Sequence, residues 1–378
     1  MMKFSIILAT LFSVVACCSP KNYSNENEFI HGTYTVARRM KADTYITPQN
    51  YEEFQFVYFF AQPIWQVADF DKSQEWINDK YVTNWEYANQ EGCQYVDEFI
   101  VNVHKNKDAK ILLSFQGRDF IRIARNESRR LKFANMMAQF VKKHNYDGIE
   151  LDWEHTIDLD LHILFMADIR AALDALNLDK QLYLTTALHT THLYTQEQAD
   201  ALSASVDWIN IMSYDMGGGN WGDVPYHNTP LTTLKKVMED WKVFDNSKVC
   251  IGLASYGFYY KDVAPSDTLR NGRKLDSYGR YCNALEVPVL MAEKGWVEKW
   301  DETEDAPYFF SPDGTEWITC DTPESLKLKM DWVKEEGYKG VFWWEFHTDW
   351  LVPATTKDRG THLLMDGVTE YIKTNKMQ

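Results

Sequence analysis

Tyr146-Asp147-Gly148-Ile149-Glu150-Leu151-Asp152-Trp153-Glu154 sets three acids at alternate positions of an otherwise apolar run. On a β-strand successive side chains point to opposite faces, so Glu150, Asp152 and Glu154 share one face and Ile149, Leu151 and Trp153 the other. A solvated strand would mix lysine, threonine and serine among its acids, and this one does not. At a rise of roughly 3.3 Å per residue, Asp152 and Glu154 stand within about 7 Å of each other. Like charges that close force at least one carboxyl to keep its proton near neutral pH. A carboxylic acid held protonated beside an ionised one is the pairing that glycosidic-bond hydrolysis uses.

Outward from this run, apolar β-rich segments alternate with helical patterns. The spacing predicts strands over 31–36, 54–63, 109–115, 147–153, 181–188, 206–214, 248–255 and 340–346. It predicts helices over 96–105, 131–144, 159–176, 196–202, 231–243, 324–336 and 361–373. Eight strands in this alternation, several of them continuously apolar, match an α/β fold of the (β/α)8 TIM-barrel kind. One interval breaks the rhythm. Between Tyr256 and Trp317, roughly sixty residues stand where a single loop is expected, too many for a structureless connection. They read as a small α+β subdomain, about 257–317, inserted between the seventh strand and the seventh helix. Catalytic groups of such barrels sit at the C-terminal ends of the strands, so an insertion there walls the substrate cleft.

The formal net charge of −16 argues against nucleic acid as a partner, because phosphate binding needs a basic surface. The 14 Trp and 21 Tyr are compatible with carbohydrate stacking and equally with a large core. Residues 1–16 read as a signal peptide, with Lys3 ahead of an apolar run too short to span a membrane. The run ends in Val14-Val15-Ala16-Cys17, which resembles a bacterial lipobox with Cys17 as the lipidated residue; plain secretion with cleavage nearby is the alternative. Residues 17–28 are polar and read as a flexible tether. The expected location is thus exported and membrane-anchored, at a bacterial outer membrane or cell surface. Cys93, Cys250, Cys282 and Cys320 lack metal-ligand spacing, so no metal and no cofactor is expected, and their pairing is not readable.

These blocks converge on a family. Asp147-Gly148-Ile149-Glu150-Leu151-Asp152-Trp153-Glu154 resembles the D-G-x-D-x-D-x-E signature of glycoside hydrolase family 18, the chitinase family. Lys110-Ile111-Leu112-Leu113-Ser114-Phe115-Gln116-Gly117 is similar to its third-strand K-x-x-x-S-x-G-G block, and Met212-Ser213-Tyr214-Asp215 to its M-x-Y-D motif. Trp221 with His227-Asn228-Thr229-Pro230-Leu231 resembles the loop that follows. Tyr278-Gly279-Arg280-Tyr281-Cys282, Trp300-Asp301, Pro307-Tyr308 and Trp317-Ile318-Thr319-Cys320-Asp321 resemble the chitin-insertion subdomain. Gly340-Val341-Phe342-Trp343-Trp344-Glu345 resembles the eighth-strand block. The resemblance takes in residues 29–378 as one catalytic domain. It implies retaining hydrolysis of β-1,4-linked N-acetylglucosamine polymers or oligomers, assisted by the substrate's own 2-acetamido group; a monomer is expected by default. By the same resemblance Glu154 is the general acid and base, Asp152 orients the acetamido N–H, Glu150 shares a proton with Asp152, and Tyr214 holds the acetamido oxygen. Asp215, Trp344, Met212, Trp221 and Tyr256 contact the sugar, with Trp344 as the floor of the −1 subsite, and Asp147 is structural.

Three positions depart from the family pattern. Glu150 replaces the middle aspartate, Gln116 replaces the first glycine of S-x-G-G, and Phe258 stands where an arginine often follows Tyr256-Gly257. A longer acid at 150 shifts a coupled titration. Two other activities compete: release of N-glycans from glycoproteins by an endo-β-N-acetylglucosaminidase, and glycan capture without catalysis. The insertion favours the chitinase kind over the first, and the presence of Glu154, Asp152 and Tyr214 speaks against the second.

Overall fold

The computed structural model describes residues 28–36, 51–61, 95–106, 108–116, 120–154, 157–217, 225–263, 280–352 and 360–377. Within them, eight parallel strands close a barrel: β1 (Ile30–Val36), β2 (Phe56–Ala61), β3 (Lys110–Gln116), β4 (Gly148–Asp152), β5 (Tyr183–His189), β6 (Trp208–Met212), β7 (Val249–Ala254) and β13 (Gly340–Trp344), with β13 returning to pair with β1. Outside it lie α1 (Val96–Val103), α2 (Phe120–Ala124), α3 (Glu127–His144), α4 (Leu159–Ala175), α5 (Gln196–Ser203), α6 (Leu231–Met238) and α8 (Pro323–Glu336).

Period-two alternation assigns each strand residue to a layer. Ile149, Leu151 and Trp153 are fully buried between β4 and the helices, in one core with Ile111, Leu113, Phe133 and Phe165. Removing each such aliphatic side chain from water contributes about 1.5–3 kcal/mol. Inward positions form a second core of Tyr34, Tyr58, Leu112, Trp208, Cys250 and Phe342. Glu150 and Asp152 point into this inner layer, as the alternation of acids requires. Gly148 opens β4 because a Cβ there would meet the Tyr183 carbonyl oxygen at 2.1 Å.

The insertion is a five-stranded antiparallel sheet in the order β10-β11-β12-β8-β9, built from β8 (Tyr256–Tyr260), β9 (Arg280–Asn283), β10 (Val297–Asp301), β11 (Ala306–Phe310) and β12 (Trp317–Thr319), with helix α7 (Glu286–Lys294). It begins at Tyr256, one residue after the barrel strand ends, with Ser255 as the link, and the chain returns to the barrel from Thr319 to Pro323.

Several boundaries differ from the sequence expectation. The helix predicted from 131 begins at Glu127, because the Asn126 side chain accepts from the Arg129 N–H at 3.0 Å and caps it. The helix predicted over 231–243 leaves α geometry after Met238 for a 3-10 turn. The helix predicted over 361–373 is α9 (Met365–Thr374). Thr361–His362 instead forms β15, paired with β14 (Trp350–Val352). The Asp349 carboxylate sets that start by accepting from the backbone N–H groups of Leu364 and Met365 at 2.8–3.0 Å.

Candidate active site

At the C-terminal mouth of the barrel β4 delivers three acids into three environments. Glu150 is the deepest and fully buried. Its Oε1 accepts from Asn210 Nδ2 at 2.5 Å and from Thr185 Oγ1 at 3.5 Å. Asn210 is itself held by Trp208 Nε1, which donates to Asn210 Oδ1 at 3.2 Å and to the Tyr58 hydroxyl at 3.1 Å. Burial pushes the Glu150 carboxyl up to about 7, and the surrounding Tyr34, Asn210, Ser114 and Thr185 donors limit that rise.

Asp152, two residues on and 3% exposed, is driven well above the usual carboxylate range, first by burial and then by the charges of Glu154 and Glu150 and a hydrogen bond to Glu154. The crowding expected from the alternation is therefore present, and together with burial it disfavours the ionised form of Asp152. Its Oδ1 has no hydrogen-bond partner. Glu154 lies just past the strand, half-buried. Its Oε1 accepts from Gln116 Nε2 at 3.1 Å. Gln116 ends β3 and sits in register with Asp152.

Beside the acids, Tyr214 follows β6 and is 6% exposed. Burial, then the charges of Asp152 and Asp215, keep its phenol protonated, so it is a hydrogen-bond donor. Gly252 on β7 makes room for that ring, since a Cβ there would come within 2.8 Å of Tyr214 Cε1. Asp215 occupies the left-handed region, φ 55, a conformation Asp tolerates better than most residues. Asn228 Oδ1 accepts its backbone N–H at 2.8 Å, and the Tyr256 hydroxyl donates to Asp215 Oδ1 at 2.6 Å. Tyr256 is buried and acts here by fixing Asp215. Trp344, half-buried at the end of β13, rests on Tyr34 and Phe60 at centroid distances of 5.3 and 5.0 Å. Met212 closes the inner layer below them.

The structure thus brings together Glu150, Asp152, Glu154, Tyr214, Asp215, Tyr256, Met212 and Trp344 at one end of the barrel, while Trp221 and Cys17 lie outside the described residues. Asp147 sits at the other end of β4. It accepts from the Ile111 N–H and Lys180 Nζ and pairs with His104 Nε2 at 2.6 Å. Burial raises this carboxyl, but those partners outweigh it and hold it below its ordinary value. Sequence reasoning missed Asn210 and Thr185 as partners of Glu150. The available signal was a polar residue at an inward position of an apolar strand, as in Trp208-Ile209-Asn210-Ile211-Met212.

The insertion is fastened to the loop that carries Asn228. Glu304, between β10 and β11, accepts from the Tyr226 hydroxyl at 2.8 Å and from the Thr233 N–H and hydroxyl. His227 Nε2 lies 3.1 Å from Asp301. On the other side Lys329 of α8 bridges Asp321 and the Thr229 hydroxyl at 2.6–2.7 Å, all buried. Cys250 and Cys320 are buried free thiols, and Cys282 is buried as well. Among the described residues no cluster of His, Cys, Asp and Glu could hold a metal ion.

Residues 33–349 match the family model described as glycosyl hydrolases family 18. An endochitinase of Manduca sexta is 25% identical over 266 residues, covering 59% of this chain and 46% of the relative. Chitinase A1 of Niallia circulans is 26% identical over 291 residues, covering 65% and 41%. The chain thus spans a little under half the length of these two. Among solved structures, a family 18 N-acetylglucosaminidase from Paenibacillus barengoltzii superposes with a TM-score of 0.69 at 23% identity, over 90% of this chain and 99% of its own. A family 18 chitinase from Cycas revoluta in complex with (GlcNAc)3 gives 0.70 at 18%, over 92% and 100%. These likenesses agree with the closed barrel and its parallel strands. A family match that runs from the first barrel strand to past the last makes the chain a member of the glycosyl hydrolases family 18.

Proposed function

We propose that this protein cleaves β-1,4-linked N-acetylglucosamine chains with retention, using the substrate's 2-acetamido group as the nucleophile. The observation that carries the reading is the file of acids that β4 and the residue pair after it bring to the barrel mouth: Glu150 and Asp152 buried, Glu154 half-buried and held by Gln116. In the first step the acetamido carbonyl oxygen bonds to the anomeric carbon as the glycosidic C–O bond breaks, and Glu154 gives its proton to the departing oxygen. Asp152 turns to the acetamido N–H and stabilises the positive charge that develops on the ring formed, while Tyr214 donates to the acetamido oxygen. In the second step Glu154 takes a proton from water, whose oxygen bonds to the anomeric carbon as the internal ring opens. Asp215 holds the sugar, and Trp344 supplies an apolar face for it.

Support for the sugar's identity comes from Asp152 as an acceptor beside Tyr214 as a donor, a pair that suits the N–H and the carbonyl of an amide, which a plain glucoside lacks. Incubation with a chitin oligosaccharide and, separately, a high-mannose glycopeptide, with products weighed by mass spectrometry, tests this. Shortened N-acetylglucosamine oligomers are expected, and Glu154→Gln should lower the rate by at least ~100-fold. Glycan release alone would move the substrate to glycoproteins and leave the mechanism standing. Retention of both substrates without cleavage would replace catalysis by binding. We also propose export, with a lipid on Cys17 holding the domain to a membrane through residues 17–28.

A further inference from the structure

Gln116 stands where the family pattern has a glycine, and a glycine could place nothing against the acid. Here the side-chain amide spans the gap between β3 and β4 and donates from Nε2 to Glu154 Oε1 at 3.1 Å. Its Cα is paired with that of Asp152, so the amide approaches Glu154 from the strand beside the one that carries the acids. Glu154 is therefore approached from two directions, by Gln116 from β3 and by the Asp152 carboxyl from its own strand.

We propose that Gln116 is a positioning residue for the reaction, one that fixes the Glu154 carboxyl and steadies the carboxylate left behind when its proton goes to the leaving group. This rests on Glu154 acting as the acid, as proposed above. The physical grounds are two. A glutamate side chain has three rotatable torsions, and a misplacement of its carboxyl by about 1 Å can cost on the order of 100-fold in rate. An N–H aimed at a carboxylate makes a charge-assisted bond, stronger than the same bond to the neutral acid. The contact therefore strengthens as the proton leaves, which is where binding raises kcat rather than merely lowering KM.

Gln116→Met keeps the volume and removes the donor, and so separates packing from hydrogen bonding. With a chitin oligosaccharide, whose leaving group is a sugar alcohol, kcat is expected to fall about tenfold while KM stays within about twofold. With a 4-nitrophenyl glycoside of the same sugars, whose leaving group needs little protonation, the fall should be under about threefold. A merely structural role would lower both rates alike, and that outcome overturns the proposal, as does a Met variant with wild-type kcat on both substrates. Crystal structures of wild type and Gln116→Met decide the matter without turnover. Glu154 should leave its wild-type position or split between rotamers in the variant, and an unmoved, fully ordered Glu154 refutes the assignment. Should the wild type cleave neither substrate, the function proposed above falls, and the crystallographic comparison still judges Gln116.

Discussion

Glu150 carries its carboxyl one methylene further into the barrel than an aspartate would, far enough to reach Asn210 on β6. Its pKa is raised on folding to about 7 from an ordinary 4.5, chiefly by burial. A group shifted in that direction contributes stability that is fully present below its unfolded value and is lost as the pH rises through the folded one. The window is therefore pH 4.5 to 7, and the most it can contribute is about 3 kcal/mol. Urea unfolding of wild type and Glu150→Gln at pH 5 and pH 8 checks this: the variant should gain on the wild type at the higher pH. Parallel free energies at the two pH values would show that Glu150 titrates normally. The parity of Glu150, Asp152 and Glu154 was legible because alternation along a strand is a local property. The reach of Gln116 to Glu154 and of Asn210 to Glu150 was not. Those pairs lie 38 and 60 residues apart, and only barrel closure and register bring them together.

Among the secondary elements, the strands were the most legible, because a parallel sheet buried on both faces shows as apolar runs such as Val249–Ala254. The last helix was the least. Its 3.6-residue pattern extends back over Thr361 and His362, yet the chain is extended there, because the groups that satisfy the first helical N–H donors come from Asp349, 15 residues upstream. Burial raises that carboxyl to about 7. Asp349→Ala would leave the Leu364 and Met365 amides buried without acceptors, at a cost of about 2–4 kcal/mol. Equilibrium urea denaturation measures it, and a change below about 0.5 kcal/mol would mean that water or another carbonyl takes over the cap. The insertion was legible as an interruption of the strand–helix rhythm and not as a sheet, since its strands are three to five residues long and pair in an order that skips along the chain.

For the protein in its cell, the anchoring proposal is independent of the chemistry. Among the described residues no helix is long and apolar enough to cross a membrane. Metabolic labelling with a palmitate analogue in a bacterial host should mark the wild type and place it in the membrane fraction; Cys17→Ser should lose both. Unlabelled wild type in the soluble export fraction would favour simple secretion. The arrangement of barrel and insertion carries a consequence for how a long substrate travels. Ser255 is the single residue between β7 and β8, and its hydroxyl is tied to the Glu345 carbonyl oxygen at 2.7 Å and to the Thr348 hydroxyl. Glu304 and Lys329 fasten the same wall from two other sides. A wall fastened at three points is held against displacement from the barrel mouth by each of them. To the polymeric substrate proposed above, such a wall would present a fixed gauge, as the eye of a needle does to thread.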